Sequence, residues 1–497
     1  MDTIASLKYI IPELLLTALI VVVIVMDLLL RKGKESRAGY LTLWGSLLIL
    51  AYLIFSPAEI HSLFEGTVVM DPFARFFKIV AMAALVLTVW VTFYTESLRS
   101  YFRSEFWILL LIANLGIFLL VSSIDLLMIY LSFELLSLMS YILTAYLLKD
   151  PRSNEASLKY LIYGAFSSGL MLFGFTWLYG LTGTLRIDEI HSAFQNGLLD
   201  GNGLALVVSF ILIIAGLGYK IAAVPFHFWS PDVYEGAPTP FAAFLSVAPK
   251  AAGFALLIRI LNLVFSGEGA LSSEFWKIIP ETNWTLFVAI LSVASMTLGN
   301  FVALQQTGIK RLLAYSSIAH AGYMLMAVVV LSQAGISAVM YYFIVYLLMN
   351  FGAFFTAIAV ENKSGDDKIA SFAGLGYRAP LLGLMMTLFL FSLTGLPPTA
   401  GFIGKFNIFA SVIQAGNHWY WLAVVGILNS VVSLWYYARV IITMYSTNQE
   451  FDASPLIVER PLVYILIILA IPTLFLGIYW APVYDFVLNS LHFFLPI

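Results

Sequence analysis

Along the chain, long apolar runs alternate with short polar connections. Runs close to the ~20 residues needed to cross ~30 Å of hydrocarbon fall at 10–30, 40–55, 74–94, 105–122, 124–148, 157–181, 204–229, 239–263, 285–303, 312–332, 337–361, 380–413, 418–446 and 461–480. The pattern predicts an all-α polytopic membrane protein with about 14 transmembrane helices. The second run is short, and the fourth and fifth nearly fuse at Ser122-Ser123. The first is too long for a signal h-region and ends in Arg31, Lys32 and Lys34 without a cleavage-like site, so it reads as a retained span.

Two runs are interrupted. In the seventh, Pro225 follows Lys220 by five residues; the twelfth holds Gly395-Leu-Pro-Pro398, with Gly401 and Gly404 just before Lys405. Such breaks free backbone carbonyls that only protein or trapped water can satisfy inside a membrane. A broken, lysine-bearing run that recurs five runs later implies two five-span units, 105–263 (spans 4–8) and 285–446 (spans 9–13). An odd offset turns them upside down relative to each other, the inverted-repeat plan of many transporters. Three N-terminal helices (1–104) and a last helix with a tail (447–497) flank the units.

Composition and charge narrow the function. The chain has 497 residues, 61% of them hydrophobic and 11% charged, where soluble domains carry ~25% charged residues. A net charge of −3, with no basic patch beyond short loops, excludes nucleic-acid binding. The lack of cysteine excludes disulfides, thiolate metal sites and cysteine-held iron–sulfur clusters. The six histidines show no metal-binding spacing, and no glycine-rich phosphate motif occurs. No cofactor or metal is expected on this chain, and any nucleotide chemistry belongs to another.

Lysine and arginine gather in the odd-to-even connections: Arg31, Lys32, Lys34, Arg37, Arg99, Arg103, Lys149, Arg152, Lys310, Arg311, Lys363, Lys368, Arg378 and Arg460. The other side holds Lys8, Arg75, Lys78, Arg186 and Lys277. The first side is then cytoplasmic, and both termini lie on the periplasmic side.

The remaining charges lie inside spans, where an ionisable group marks an ion or proton route or a paired structural site. Glu134 is too deep to reach either surface; it is the expected partner of Lys220, unless the hydroxyls of Ser132, Ser137 or Ser140 simply hold it in place. Lys220, Lys250 and Lys405 occupy mid-span positions. Lys159, near the start of its span, reads equally well as a snorkelling amine. Arg259 and Arg439 read as anchors near helix ends. His227, after the first break, and His320, in span 10, can titrate near neutral pH. At ~4 Å and an effective dielectric near 20, a carboxylate and an amine interact by ~4 kcal/mol, so movement of Glu134 against Lys220 would decide whether the amine keeps its proton. A proton could then pass laterally from Lys220 to Lys250 to Lys405, bridged by His320, tyrosines and water.

At these residues a family emerges. KIAAVPFHFWSPDVYEGAPTPFAAFLS (220–246), QQTGIKRLLAYSSIAHAGY (305–323) and FSLTGLPPTAGFIGKF (391–406) resemble the antiporter-like membrane subunits of respiratory complex I, the proton-pumping NADH:quinone oxidoreductase. YLSFELLSLMSYILTAY (130–146), fourteen spans and no long C-terminal helix are most similar to the subunit N (subunit 2) branch. The resemblance implies two inverted five-helix bundles with discontinuous helices 7 and 12, and proton translocation through Glu134, Lys159, Lys220, Lys250 and Lys405. His320 lies in the matching span-10 stretch. It also implies a subunit without a redox centre, packed in the bilayer against other membrane-arm subunits that include neighbouring antiporter-like ones. NADH, FMN, iron–sulfur clusters and quinone would sit on partner chains. The runner-up is a subunit of a multi-subunit cation/proton antiporter or of a hydrogenase-linked ion pump. Missing cysteine and the absence of a targeting peptide favour a bacterial cell inner membrane.

Overall fold

The computed structural model describes residues 3–29, 36–57, 59–99, 104–194, 203–266, 283–330, 332–446, 455–456 and 458–491. Arg31, Lys32, Lys34, Arg103, Lys277 and His492 lie outside them. The spans are Ile11–Leu29, Ser36–Phe55, Pro72–Thr92, Ser104–Ser122, Leu126–Thr144, Pro151–Thr182, the pair Gly203–Ile221 and Ser230–Gly236, Thr239–Leu263, Trp284–Ala303, Ile309–Val329, Gln333–Ser364, the pair Pro380–Thr394 and Ala400–Gln414, Tyr420–Tyr445, and Arg460–Phe475. Among the described residues, twelve helices are long and apolar enough to cross a membrane by themselves. The halves of span 12 and the last helix are shorter.

Local sequence sets the helix ends. Asp71 begins span 3 by accepting the Ala74 N–H at 2.7 Å, with Pro72 next in line. Asp125 does the same for span 5 through Met128 N–H, which keeps it apart from span 4 although only three residues separate them. Span 2 is longer than its apolar run, because Ser36–Ala38 extend the helix past the greasy stretch. Span 14 is shorter: it stops at Phe475, and a second helix, Ala481–Asn489, takes up the chain.

The two units match feature by feature. Their third members, spans 6 and 11, are both 32 residues long and both stop at a left-handed glycine, Gly183 and Gly365. Their first and second members cross closely through a glycine: a Cβ on Gly116 would stand 2.9 Å from Leu136 N, and one on Gly299 2.7 Å from Ala319 N. Their fourth members, spans 7 and 12, are the two broken ones. Span 8 is buried along its whole length, and spans 10 and 11 nearly so. These three form the centre of the molecule.

Two charges sit elsewhere than their sequence positions suggested. Lys78 is not in a connection but inside span 3, where it pairs with Glu13 of span 1. Arg259 is no surface anchor. It is buried against Asp71 at 2.9 Å, because the start of span 3 packs beside the end of span 8.

Candidate functional site: a buried row of lysines

Lys220 stands in the last turn before the first break, and Lys405 in the second turn after the second break. The opposite order is what inverted units produce. Each break's loose backbone is tied by side chains. In the first, Val224 N–H donates to Ser295 Oγ of span 9 at 2.9 Å, and Trp229 Nε1–H to Tyr219 O at 3.0 Å. In the second, the freed carbonyl of Thr394 accepts from Lys405 Nζ at 2.8 Å and from Ser430 Oγ at 3.1 Å.

Lys220, Lys250 and Lys405 are each at most 3% exposed, and among the described residues no carboxylate lies within 4 Å of any of the three amines. Hydroxyls, carbonyls and ring faces surround them instead. Lys220 Nζ donates to Ser137 Oγ at 2.8 Å and lies 4.4 Å from the centre of the Phe133 ring. Lys250 Nζ donates to Ser317 Oγ at 2.5 Å and to Ser317 O at 3.2 Å. Lys405 Nζ also donates to Ser430 Oγ at 2.9 Å, and sits 4.7 Å above the Tyr323 ring.

Span 10 aligns the row. Ser317, His320 and Tyr323 recur at intervals of three and share one helix face. The first touches Lys250 and the last Lys405. His320 lies between them, with Nδ1 2.7 Å from Tyr342 Oη and Nε2 3.3 Å from Tyr437 Oη. Tyr437 Oη in turn meets Ser316 Oγ. Lys220 joins the row by packing: a Cβ on Gly253, three residues past Lys250, would lie 3.3 Å from Lys220 Cγ.

Glu134 departs from its expected place. No ion pair joins it to Lys220; Ser137, one turn further along span 5, takes the amine. Glu134 is half-buried, its Oε1 has no hydrogen-bond partner among the described residues, and it acts on Lys220 only through space. Lys159 is 39% exposed and held by Asp232 at 2.6 Å and Glu155 at 2.7 Å. It belongs to a peripheral cluster in which Arg311 binds Asp232 at 2.6 Å and Glu235 at 2.7 Å, rather than to the row. His227 is buried in the first break, and its Nδ1 has no hydrogen-bond partner among the described residues. Among the described residues no three His, Asp or Glu side chains gather as a metal site would require.

A family model described as NADH:quinone oxidoreductase/Mrp antiporter, transmembrane, matches residues 123–433. The chain belongs to this family. The protein named NADH-quinone oxidoreductase subunit N 2 from Sorangium cellulosum is 44% identical, over 99% of this chain and 98% of its own length. A chain of respiratory complex I from Thermus thermophilus superimposes with a TM-score of 0.78 at 32% identity, covering 96% of this chain and 99% of that one. A chain of the Mrp complex from Dietzia sp. DQ12-45-1b shares the fold, with a TM-score of 0.79 at 17% identity, over 96% of each chain.

Sequence reasoning missed the residues that hold the amines, Ser137, Ser317 and Ser430, and the ring hydroxyls of Tyr342 and Tyr437. One signal was present: Ser137 stands three residues after Glu134, and Ser317 three before His320, on the faces that carry charge. In the sequence, Gly395 marks only the second break. It ends the first half of span 12 at φ +87, and a Cβ there would come 2.8 Å from Lys405 Cδ. Gly395→Ala should therefore cost roughly 1–2 kcal/mol in the left-handed backbone region and also displace the amine. The expected result is a less heat-stable assembly whose proton pumping falls further than its stability, checked by thermal inactivation and vesicle acidification on one preparation.

Proposed function

We propose that the chain is the antiporter-like subunit N of a proton-pumping NADH:quinone oxidoreductase, moving protons across a bacterial inner membrane while NADH oxidation and quinone reduction take place on partner subunits. The observation that carries this reading is the row itself: three buried lysines with hydroxyl and carbonyl partners and, among the described residues, no counter-ion at contact distance. A lysine at mid-membrane costs a few kcal/mol even by insertion scales. A structural role would call for a paired carboxylate, as Arg259 has in Asp71. Hydroxyls that both accept and donate suit an amine that must gain and lose a proton.

In this reading Lys220, Lys250 and Lys405 carry the proton, His320 passes it between the last two through Tyr342 and Tyr437, and Glu134 biases Lys220 from one turn away. Lys159 and His227 serve the approach to the first unit. The units are 105–263 and 285–446, and both chain ends face the periplasm. The exposed apolar faces of spans 1, 2, 6 and 13 meet lipid or other membrane-arm subunits. NADH, FMN, iron–sulfur clusters and quinone are held by those partners, and this chain has no redox centre.

Lys250→Met tests the reading, because it keeps the stem's volume in a fully buried helix and removes the charge. In membrane vesicles the assembled complex should still oxidise NADH when uncoupled, with proton pumping per NADH strongly lowered. Pumping at the wild-type ratio would refute the row as the route.

A further inference from the structure

The three N-terminal helices lie outside the matched family region, yet they hold a second pair of buried ionisable groups. Lys78 Nζ of span 3 stands 2.5 Å from Glu13 Oε1 of span 1, with side chains 2% and 6% exposed. The amine also donates to Met70 Sδ at 3.2 Å. Beyond the ion pair, neither carboxylate oxygen of Glu13 has a hydrogen-bond partner among the described residues. The nearby pair of Asp71 and Arg259 is different in kind. Asp71 accepts from both guanidinium nitrogens and from Ala74 N–H, as a structural pin does.

A cavity of about 230 Å³ reaches Lys78, room for several water molecules. Lys8, His61, Arg75 and Glu59 also line it, and Glu59, 62% exposed, marks its way to the surface. On the inner side, the Lys78 amine lies 5.9 Å from the centre of the Phe118 ring. One turn from Phe118 in span 4 is Asn114, fully buried, with neither amide atom partnered among the described residues. Orphaned polar atoms in such a place call for water. Beside Asn114, Gly116 brings span 4 against Leu136 of span 5, the helix that carries Glu134 and Ser137.

We propose that Glu13 and Lys78 form a second proton-exchanging site, opening through this cavity to the surface on the side where span 1 begins and leading inward past Asn114 toward Ser137 and Lys220. The Lys78 ammonium gives a proton to the Glu13 carboxylate, leaving amine and acid; water in the cavity returns a proton to the amine, and the acid passes its own inward. The reverse sequence runs the same steps outward. The inference rests on the reading that this chain moves protons.

The test uses the whole complex in membrane vesicles, comparing the Glu13→Leu/Lys78→Met double variant with Lys220→Ala. Removing both charges leaves neither buried and unpaired, so the complex should assemble at wild-type levels. The number of protons moved per NADH should nevertheless fall as far as it does in Lys220→Ala. A double variant with the wild-type ratio, beside a lowered Lys220→Ala, would reduce the pair to a pin and overturn the inference alone. If Lys220→Ala itself keeps the wild-type ratio, the reading of the row falls and the inference with it. Should the double variant fail to assemble, Asn114→Leu decides: a lowered ratio supports the route, and a wild-type ratio overturns it.

Discussion

Lys220→Ala is expected to abolish, or reduce several-fold, the protons moved per NADH oxidised, without preventing assembly. The amine reaches Ser137 in span 5 from the last turn before the break, with its stem on Gly253 of span 8. Its removal takes away the amine that bridges these helices, and alanine leaves Ser137 able to turn back on its own helix, where it already bonds Phe133 O. Glu134→Ala should act in the same direction but less completely. Beyond 4 Å, at an effective dielectric near 20, its pull on the amine is worth less than ~4 kcal/mol, and it shifts the balance at Lys220 without being the carrier. Ser137→Ala separates the two effects, since it removes the amine's acceptor and leaves both charges. Proton uptake measured against NADH oxidation in one set of vesicles ranks the three variants. A Glu134→Ala loss as large as that of Lys220→Ala, with Ser137→Ala silent, would mean that the two charges meet directly during turnover.

Much of this was legible in the sequence, and what was not has a physical cause. Span number, the breaks at Pro225 and Pro397-Pro398, and the depth of Lys220, Lys250 and Lys405 follow from run length and from the rarity of charge among apolar residues, both one-dimensional properties. Partnership is not. Glu134 looked like the natural mate of Lys220 because it was the only deep acid in its unit; rotation of span 5 instead presents Ser137 to the amine and leaves Glu134 a turn away. Lys159 was ambiguous because its two carboxylates come from different places, Glu155 one turn along and Asp232 on the far side of a break. Arg259 and Lys78 were misplaced for a related reason. Each sits near a span end by count, and only the packing of spans 1, 3 and 8 shows that these ends are roofed over. His320 was visible as a buried histidine, but its place between Tyr342 and Tyr437 depends on spans 11 and 13 arriving beside span 10.

Breaking the Asp71–Arg259 pair should have the largest effect on stability of any single substitution considered. Both side chains are at most 2% exposed, and the pair joins the cap of span 3 to the last turns of span 8, which is buried along its whole length. Arg259 also donates to Val121 O at 3.2 Å, so it ties the end of span 4 into the same joint. Asp71→Ala strands a buried guanidinium, a loss of about 3–5 kcal/mol, and removes the cap of span 3, a further ~1 kcal/mol. That approaches the whole stability of an ordinary domain, so little of the variant should reach the assembled complex. Arg259→Leu should be milder, because Asp71 keeps its bond to Ala74 N–H. The decisive comparison is Asp71→Ser/Arg259→Leu, in which serine restores the cap and no charge remains to be buried. Assembly, read as the amount of intact complex after mild solubilisation, should return to near wild type, and so should proton pumping, because in this pair, unlike the lysine row, both carboxylate oxygens are held by the guanidinium and one also by a backbone N–H, as in a structural pin. Recovered assembly with pumping still lost would instead place Asp71 and Arg259 on the proton route.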